Sequence, residues 1–509
     1  MRTNNSIKNI VISTISNAII IIIGFIAQKV FIITLGKEYL GLNGLFSNIL
    51  SILSVVELGF GSAIIFHLYK PISENDNEKI KLLLKMYKKT YRIIAFVILL
   101  LGIGVLPFIY IIVGDISLND NLYLLFILAL LEVVVSYFLS YKRSILYADQ
   151  KTYIVNIVHA LYVVILNAFE IFFLILTHNY IVYLIIKIVF KVFENLVITF
   201  IANKKYPYII EKTNGSISNN LKDDIYQKVK GLLYHSIASA LVLSTDNLII
   251  SNIFGVVVVG LYSNYYMIFN AINVLITQAF SSITATIGNL LLENDAKKSY
   301  SIYKNILFFN SWIYCITGIC ILCMIEPFIK IWLGTDFLLS KGVLIILVLN
   351  YYIQGMRKTN ARFKEAAGIF YEDRLMPIFE SIVNLISSIL LAKIFGLMGV
   401  FMGTILSSCV LFFYSYPIFV YKKIFRRKYS QFLKEHIKYF LISLLCAMVC
   451  YACYIRLNIV NNILLLFTSL IISLIIPNII YYILYKNSDE FNYYKNLLKK
   501  SLILKKKDD

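Results

Sequence analysis

Long apolar runs alternate along the chain with short, polar, lysine-rich connections. The runs IVISTISNAIIIIIGFIA and IIAFVILLLGIGVLPFIYIIVG carry no charged residue, and a helix needs about 20 apolar residues to cross a bilayer. Fourteen segments of this kind can be drawn, near 9–35, 41–68, 93–114, 120–141, 152–177, 179–202, 229–254, 259–291, 305–329, 342–361, 375–392, 397–421, 437–455 and 460–485. The pattern predicts an all-α integral membrane protein with about 14 transmembrane helices.

The connections set the orientation. With the N-terminus in the cytoplasm, 40 of the 48 Lys and Arg residues fall on the cytoplasmic side. Lys37, Lys330, Lys341, Lys393 and Arg456 fall on the other side, and Lys29, Lys187 and Lys191 lie inside spans. Such an excess places both termini in the cytoplasm and requires an even number of spans. Composition agrees: 59% of residues are hydrophobic and 15% charged, against about 25% charged in soluble domains.

The net charge of +20 would suggest nucleic acid in a soluble protein. Here orientation and attraction to anionic membrane lipid account for it, and no nucleic-acid partner is expected. The first apolar run is too long for a signal-peptide core and lacks a small-x-small exit site, so it reads as the first span. Seven cysteines all lie in apolar runs, two pairs of them as CxxC, Cys320/Cys323 and Cys450/Cys453. With no His or further Cys beside either pair, packing thiols are expected, not a zinc site or a disulfide framework.

A repeat runs through the pattern. GKEYLGLNGLFSNI at 36–49 is echoed by GVVVVGLYSNYYMI at 255–268, 219 residues later. ENDNEK at 74 returns as ENDAKK at 293, and Arg143 and Ala148 map onto Arg362 and Ala367 at the same offset. LPFIYIIVGD at 106 returns as EPFIKIWLGTD at 326, pairing Pro107 with Pro327 and Gly114 with Gly334. The repeat divides the chain into a six-span lobe at 1–212, a second at 213–425, and a segment at 426–509 with spans 13, 14 and a basic tail. Because six is even, the lobes are parallel repeats, and transporters built this way hold substrate where the repeats meet.

Three stretches carry a family resemblance. They are LGKEYLGLNGLFSNILSILSVVELGFGSAIIFHLYKPISENDNEKI, STDNLIISNIFG and RFKEAAGIFYEDRLMPIFESIVNLISSILLAKIFGLMGVFMGTILSS. Together they resemble the Wzx-type polysaccharide flippases (O-antigen, capsule or teichoic) of the multidrug/oligosaccharidyl-lipid/polysaccharide exporter superfamily, and the similarity covers nearly the whole chain. The resemblance implies a V-shaped, two-lobed fold like those of MATE transporters and lipid-II flippases. It further implies a bacterial cytoplasmic-membrane exporter that moves undecaprenyl-diphosphate-linked oligosaccharide to the outer leaflet through a cation-lined cavity. No cofactor is implied; an H+ or Na+ gradient would supply the energy. A monomer is expected, with a polysaccharide polymerase or export protein as partner, and spans 13 and 14 associated with the polyprenyl tail.

A diphosphate and several sugars need cations and hydrogen-bonding groups along their path. Ionisable residues inside spans cost about 2.5–3.5 kcal/mol each on insertion scales, so they face a cavity or a partner. Lys187, Lys191 and Glu194 share one face of span 6. The two lysines could meet the diphosphate, or Lys191 could pair with Glu194. Lys29 is near enough to the outer end of span 1 to snorkel or to line the cavity. Ser13, Asn17, Gly24 and Gln28 form a polar strip on span 1, suited to sugar contacts or to helix packing. His235, Ser239 and Asp246 share a face of span 7. Asp246 is either a gate partner for Lys29 or an ion-coupling site; the family resemblance makes an Asp here a recurrent element without fixing its role. Glu57, Glu132 and Glu170 read as partners for cations or as ion sites, with Glu57 and Glu170 candidates for coupling or gating. Arg143 and Arg362, repeat-equivalent at the cytoplasmic ends of spans 4 and 10, could capture a diphosphate or anchor the spans.

Two other classes compete. A membrane polymerase or glycosyltransferase would present catalytic groups on a substantial outer loop, and the outer connections here are short, so no enzyme is expected. No GxxxxGK[ST] loop is present for an ATP-driven motor. An ion-coupled drug/cation antiporter of the same superfamily would favour an acidic cavity and usually twelve spans.

Overall fold

The computed structural model describes residues 2–508 apart from 115–117, 119, 212, 214, 216, 219, 220, 224, 227, 228, 230–244, 294, 370 and 371. Helices occupy the drawn apolar segments wherever these are described. Chain contacts gather Met1–Gln278 into one compact unit and Ala279–Asp509 into another.

The first unit begins with α1 (Arg2–Leu35), α2 (Lys37–Leu53), α3 (Val55–Glu74) and α4 (Asn77–Val105). It continues with α5 (Leu122–Phe138), the short α6 (Arg143–Ala148), α7 (Thr152–Thr177) and α8 (Tyr180–Lys205). After a helical stretch at 245–254, α9 (Val256–Leu292) contributes its first part to this unit. The second unit comprises the remainder of α9, then α10 (Ala296–Trp332), α11 (Lys341–Ala366), α12 (Met376–Phe395) and α13 (Leu397–Val410). Beyond them lie α14 (Tyr429–Ile455), α15 (Asn462–Tyr485) and α16 (Asp489–Asp508). Between α13 and α14 the backbone widens into π-helical turns at Leu411–Ser415 and Pro417–Ile424.

Among the described residues, eight helices are long and apolar enough to cross a membrane. A ninth joins them if α5 and the segment Ser140–Ala148, bent by 41°, form one span. Two of the remaining predicted spans are interrupted by charged residues or by a helix break. The run in α8 holds Lys187, Lys191 and Glu194, and the span over 41–68 is broken at Ser54 between α2 and α3. The chain is a multi-pass, all-helical membrane protein.

The sequence repeat is written into the backbone. Left-handed φ angles occur at Gly36 and Gly255 (91° and 86°) and at Gly114 and Gly334 (74° and 103°). They recur at Gln150 and Gly368 (56° and 69°) and at His178 and Gly396 (50° and 64°). Asp76 and Asp295, 219 residues apart, each cap the following helix: Asp76 accepts from the Lys79 amide, Asp295 from those of Lys297 and Lys298. A helix N-terminus leaves amides unpaired, and a short acidic side chain satisfies them. The same breaks and caps therefore recur in the same order in both halves.

The echoed glycine motifs meet one another. A Cβ on Gly41 would stand 1.9 Å from the Val256 carbonyl oxygen, and one on Gly260 would stand 2.7 Å from that of Lys37. The starts of α2 and α9 thus cross backbone to backbone, which only a residue without a side chain permits. This contact draws the start of α9 into the first compact unit, so that unit extends past residue 212. In the second unit Gly399 and Gly403, spaced four apart, bring α13 onto α12, where a Cβ would stand 2.0 Å from the Leu391 oxygen and 2.3 Å from Ser388 Oγ respectively. Ser388 Oγ donates to the Val400 oxygen at 3.0 Å across the same seam. The last two apolar helices pack on α10, with Tyr481 of α15 at 2.8 Å from Ser311. All seven cysteines are free thiols.

Gly41→Val and Gly260→Val are each expected to cost about 2 kcal/mol or more. The double variant is expected to lose less than the two losses added, because both substitutions open one contact. Thermal unfolding of the purified protein, followed by circular dichroism, measures this; strictly additive losses would mean the two glycines do not share a contact.

Candidate functional site

Helix α8 begins at Asn179, whose side chain accepts from the amides of Ile181 and Val182. From that start the helical period sets Lys187, Lys191 and Glu194 on one stripe. The structure gives each of them a partner. Lys187 Nζ lies 2.9 Å from Glu132 Oε2 of α5 and 5.7 Å from the centre of the Tyr183 ring. Lys191 Nζ lies 2.9 Å from Glu194 Oε2 and 5.2 Å from the Tyr162 ring of α7. The other Glu194 oxygen, Oε1, is 2.9 Å from both Arg143 Nη2 of α6 and His159 Nδ1 of α7. Arg143 Nη2 also donates to Asn195 Oδ1 at 3.1 Å, and Asn195 Nδ2 donates to the Ser136 oxygen at 3.2 Å.

Glu194 is fully enclosed, whereas the side chains of Arg143, Lys187 and Lys191 each keep about a fifth of their surface open. Glu170 of α7 is buried within electrostatic reach of Lys187 and Glu132, and its Oε1 has no hydrogen-bond partner among the described residues. Three permanent cations therefore stand among three carboxyl groups. In a low-dielectric setting such pairing is what permits the charges to be there at all.

Beside this network is a cavity of about 260 Å³ enclosed by α2, α5 and α8. Asn43, Ser47, Ser51 and Ser54 line it from α2 and its C-terminal end, and Glu132 and Lys187 face it from the opposite wall. The four polar residues recur at helical spacing along one side of α2. Tyr180 Oη donates to Asn43 Oδ1 at 3.2 Å. The cavity thus offers hydroxyls, an amide and one cation paired to one carboxylate. The sequence reading did not single out this ladder, although its spacing on an apolar helix is visible in the chain.

The other predicted residues are dispersed. Ser13 Oγ accepts from Asn156 Nδ2 at 2.6 Å, a Cβ on Gly24 would meet Met267 at 3.0 Å, and Gln28 Nε2 donates to Asn264 Oδ1 at 3.1 Å. Three members of the span 1 strip are therefore engaged in helix packing. Asn17 is half-buried and makes no hydrogen bond among the described residues. Lys29 is exposed and has no acidic partner among the described residues. Asp246 is buried with Tyr262 near it, and His235 and Ser239 lie outside the described residues. Tyr91 Oη of α4 donates to Glu57 Oε1 at 3.2 Å.

Arg143 and Arg362 have unlike surroundings despite their equivalence in the repeat. Arg143 reaches the enclosed Glu194 on another helix, whereas Arg362 Nη1 pairs at 2.8 Å with Glu365 on its own helix. The second unit has buried pairs that the sequence reading missed. Arg357 meets both oxygens of Glu380 at 2.6 and 3.0 Å, and Lys364 pairs with Asp373, which also accepts from Ser415 at 2.9 Å. Glu380 stands alone in an apolar run, and that was the available signal.

No family model matches the chain, and no curated protein matches it. Solved structures do. The lipid II flippase MurJ, in an inward closed conformation, is similar over 94% of this chain and 99% of its own, with a TM-score of 0.65 at 16% identity. The Vibrio cholerae MATE transporter VcmN is similar over 86% of this chain and 99% of its own, with a TM-score of 0.59 at 13% identity. An inward-facing multidrug resistance MATE transporter of the MOP superfamily is similar over 79% and 94%, with a TM-score of 0.58 at 14% identity. The fold of this chain is the fold of these transporters.

Glu194→Gln is expected to destabilise the protein by about 3–5 kcal/mol, because Arg143 and Lys191 lose their shared carboxylate. Lys191→Met is expected to cost less, since Arg143 and His159 still hold Glu194. Thermal or denaturant unfolding in detergent ranks the two variants; the reverse order would remove Glu194 from the centre of the network.

Proposed function

We propose that this chain is a flippase that carries undecaprenyl-diphosphate-linked oligosaccharide from the inner to the outer leaflet of a bacterial cytoplasmic membrane, for surface polysaccharide assembly. The observation that carries the reading is the cavity in which Lys187 stands on Glu132 opposite the Asn43–Ser54 ladder. A diphosphate is a stronger partner for an ammonium group than one carboxylate, and sugar hydroxyls match amides and hydroxyls. The substrate would take Lys187 from Glu132, with Lys191, Arg143 and Arg362 as further cations along the path and Asn17, Gln28 and Lys29 along span 1. Glu132, once released, needs a new counter-charge, which a proton or Na+ drawn down its gradient supplies. Glu57, Glu170, Asp246 and His235 are the other candidates for that coupling.

Coverage supports a lipid-linked substrate over a small cation. The lipid II flippase is matched along 94% of this chain, the two MATE transporters along 86% and 79%. Alternating access between lobes at 1–212 and 213–425, with the helices after 425 holding the polyprenyl tail, completes the reading. Both termini are cytoplasmic in it, and a single chain works beside a polysaccharide polymerase or export partner. The equal number of carboxyl groups and cations around Lys187 favours the second reading, an ion-coupled cation antiporter.

Lipids extracted from cells with and without the chain separate the two. Depletion is expected to trap one undecaprenyl-linked sugar on the cytoplasmic leaflet. Wild type would release it, Lys187→Arg would release it in part, and Lys187→Ala would be slower by about tenfold or more, the loss of one charge-assisted contact. If no lipid-linked sugar is trapped, the flippase reading fails and antiport becomes the better one.

A further inference from the structure

A second cavity, of about 700 Å³, opens at the cytoplasmic end of α4 and has no part in the site described above. Its cations are Lys85, Lys88, Lys89 and Arg92, spaced i, i+3, i+4 and i+7 on α4, and Lys222 from the connection that follows the first six spans. No acidic residue is among the described residues that line it. Glu78 and Glu211 both pair with Lys81, one turn before Lys85 on the same stripe of α4, and Asp223, which follows Lys222 in sequence, is not among the described residues that line the cavity. Lys88, Lys89, Arg92 and Lys222 form no ion pair among the described residues.

The opposite wall comes from the connection itself. Lys85 Nζ donates to the Thr213 oxygen at 2.9 Å, and a Cβ on Gly215 would stand 3.1 Å from Leu82. Just inside the membrane the same face of α4 turns apolar, with Ile93 and Phe96 more than half exposed and lining the cavity. Basic at the cytoplasmic edge and apolar one turn further in, the groove has the polarity sequence of a phospholipid: anionic head, then acyl chain.

We propose that this groove is a binding site for one anionic phospholipid of the inner leaflet, whose phosphate is held by Lys88, Lys89, Arg92 and Lys222 and whose acyl chain lies along Ile93 and Phe96. The lipid joins α4 to the start of the connection between the two repeats. This goes beyond the scattered positive charge that orients the spans, because it assigns one stoichiometric lipid to one groove.

The test uses the full chain, purified and reconstituted with phosphatidylcholine, with and without phosphatidylglycerol. Native mass spectrometry counts retained phosphatidylglycerol, and thermal unfolding reports its stabilisation. Lys88→Gln/Lys89→Gln/Arg92→Gln is compared with Lys486→Gln/Lys495→Gln/Lys499→Gln, which removes equal charge from exposed cytoplasmic positions. The α4 variant is expected to retain the lipid about a hundredfold more weakly, one factor of about five per cation, and to lose its thermal stabilisation; the control keeps both. Lys88→Arg/Lys89→Arg, which preserves charge, should retain the lipid and shows that the fold tolerates change here. Equal losses in both triple variants, or undiminished retention in the α4 variant, would overturn the site. So would retention of undecaprenyl diphosphate in place of phosphatidylglycerol, which would assign the groove to transported lipid. Each readout is independent of flipping, so the groove and the proposed transport can fail separately.

Discussion

Glu194 sits within α8 with no side-chain surface exposed, where an unpaired carboxylate would cost several kcal/mol. Arg143 from α6, His159 from α7 and Lys191 from α8 all converge on it. That requirement constrains the surrounding helices. The chain must bend after α5 for Arg143 to reach inward, and the 41° break there meets that need. Helices α7 and α8 must hold a register that brings His159 level with Glu194. With Glu194 satisfied by these groups, Lys187 pairs with Glu132, with Glu170 in electrostatic reach, and that is the pair that opens onto the cavity. The network is therefore uneven, closed around Glu194 and exchangeable around Lys187.

The second constraint is close backbone approach. Paired glycines at 41 and 260 bring the two copies of one motif together, so the repeat is both a record of duplication and a contact surface. Sequence alone showed that the motif recurs at an offset of 219. It did not show that the copies touch, because a spacing within one strand of text says nothing about distance across a fold. The helix breaks were more legible. Gly36, Gly114, Gly255 and Gly334 end runs in the sequence and adopt left-handed backbone in the structure. Gln150 and His178, which also take a positive φ without being glycine, gave no such cue.

The candidate site divides along the same line. Periodicity within α8 placed Lys187, Lys191 and Glu194 on one face, since that follows from 3.6 residues per turn alone. Their partners on α5, α6 and α7 depend on how neighbouring helices are rotated, which no single helix encodes. Hence Glu132 was recognised as an intramembrane acid without its partner, and His159 was not singled out. The strip on span 1, open to either sugar contacts or helix packing on sequence alone, shows the other side of this. Ser13, Gly24 and Gln28 share a face as expected, yet that face is spent on Asn156, Met267 and Asn264. Small and polar residues serve packing in lipid as readily as they serve ligands.

The exchangeable pair has a consequence for the proposed transport. An ammonium and a carboxylate in contact attract strongly where water is scarce, so a diphosphate can displace Glu132 only by bringing more charge than it removes. It then leaves Glu132 exposed to a bound anion, with buried Glu170 close by. Two negative groups cannot share one lysine where water is scarce, so in the proposed cycle Glu132 would be neutralised as the lipid enters. A proton or Na+ arriving with that step would be retained while the headgroup is bound and set free when Glu132 recovers Lys187. In the proposed cycle, dependence on an ion gradient would arise from the charges around Lys187, without a separate coupling device.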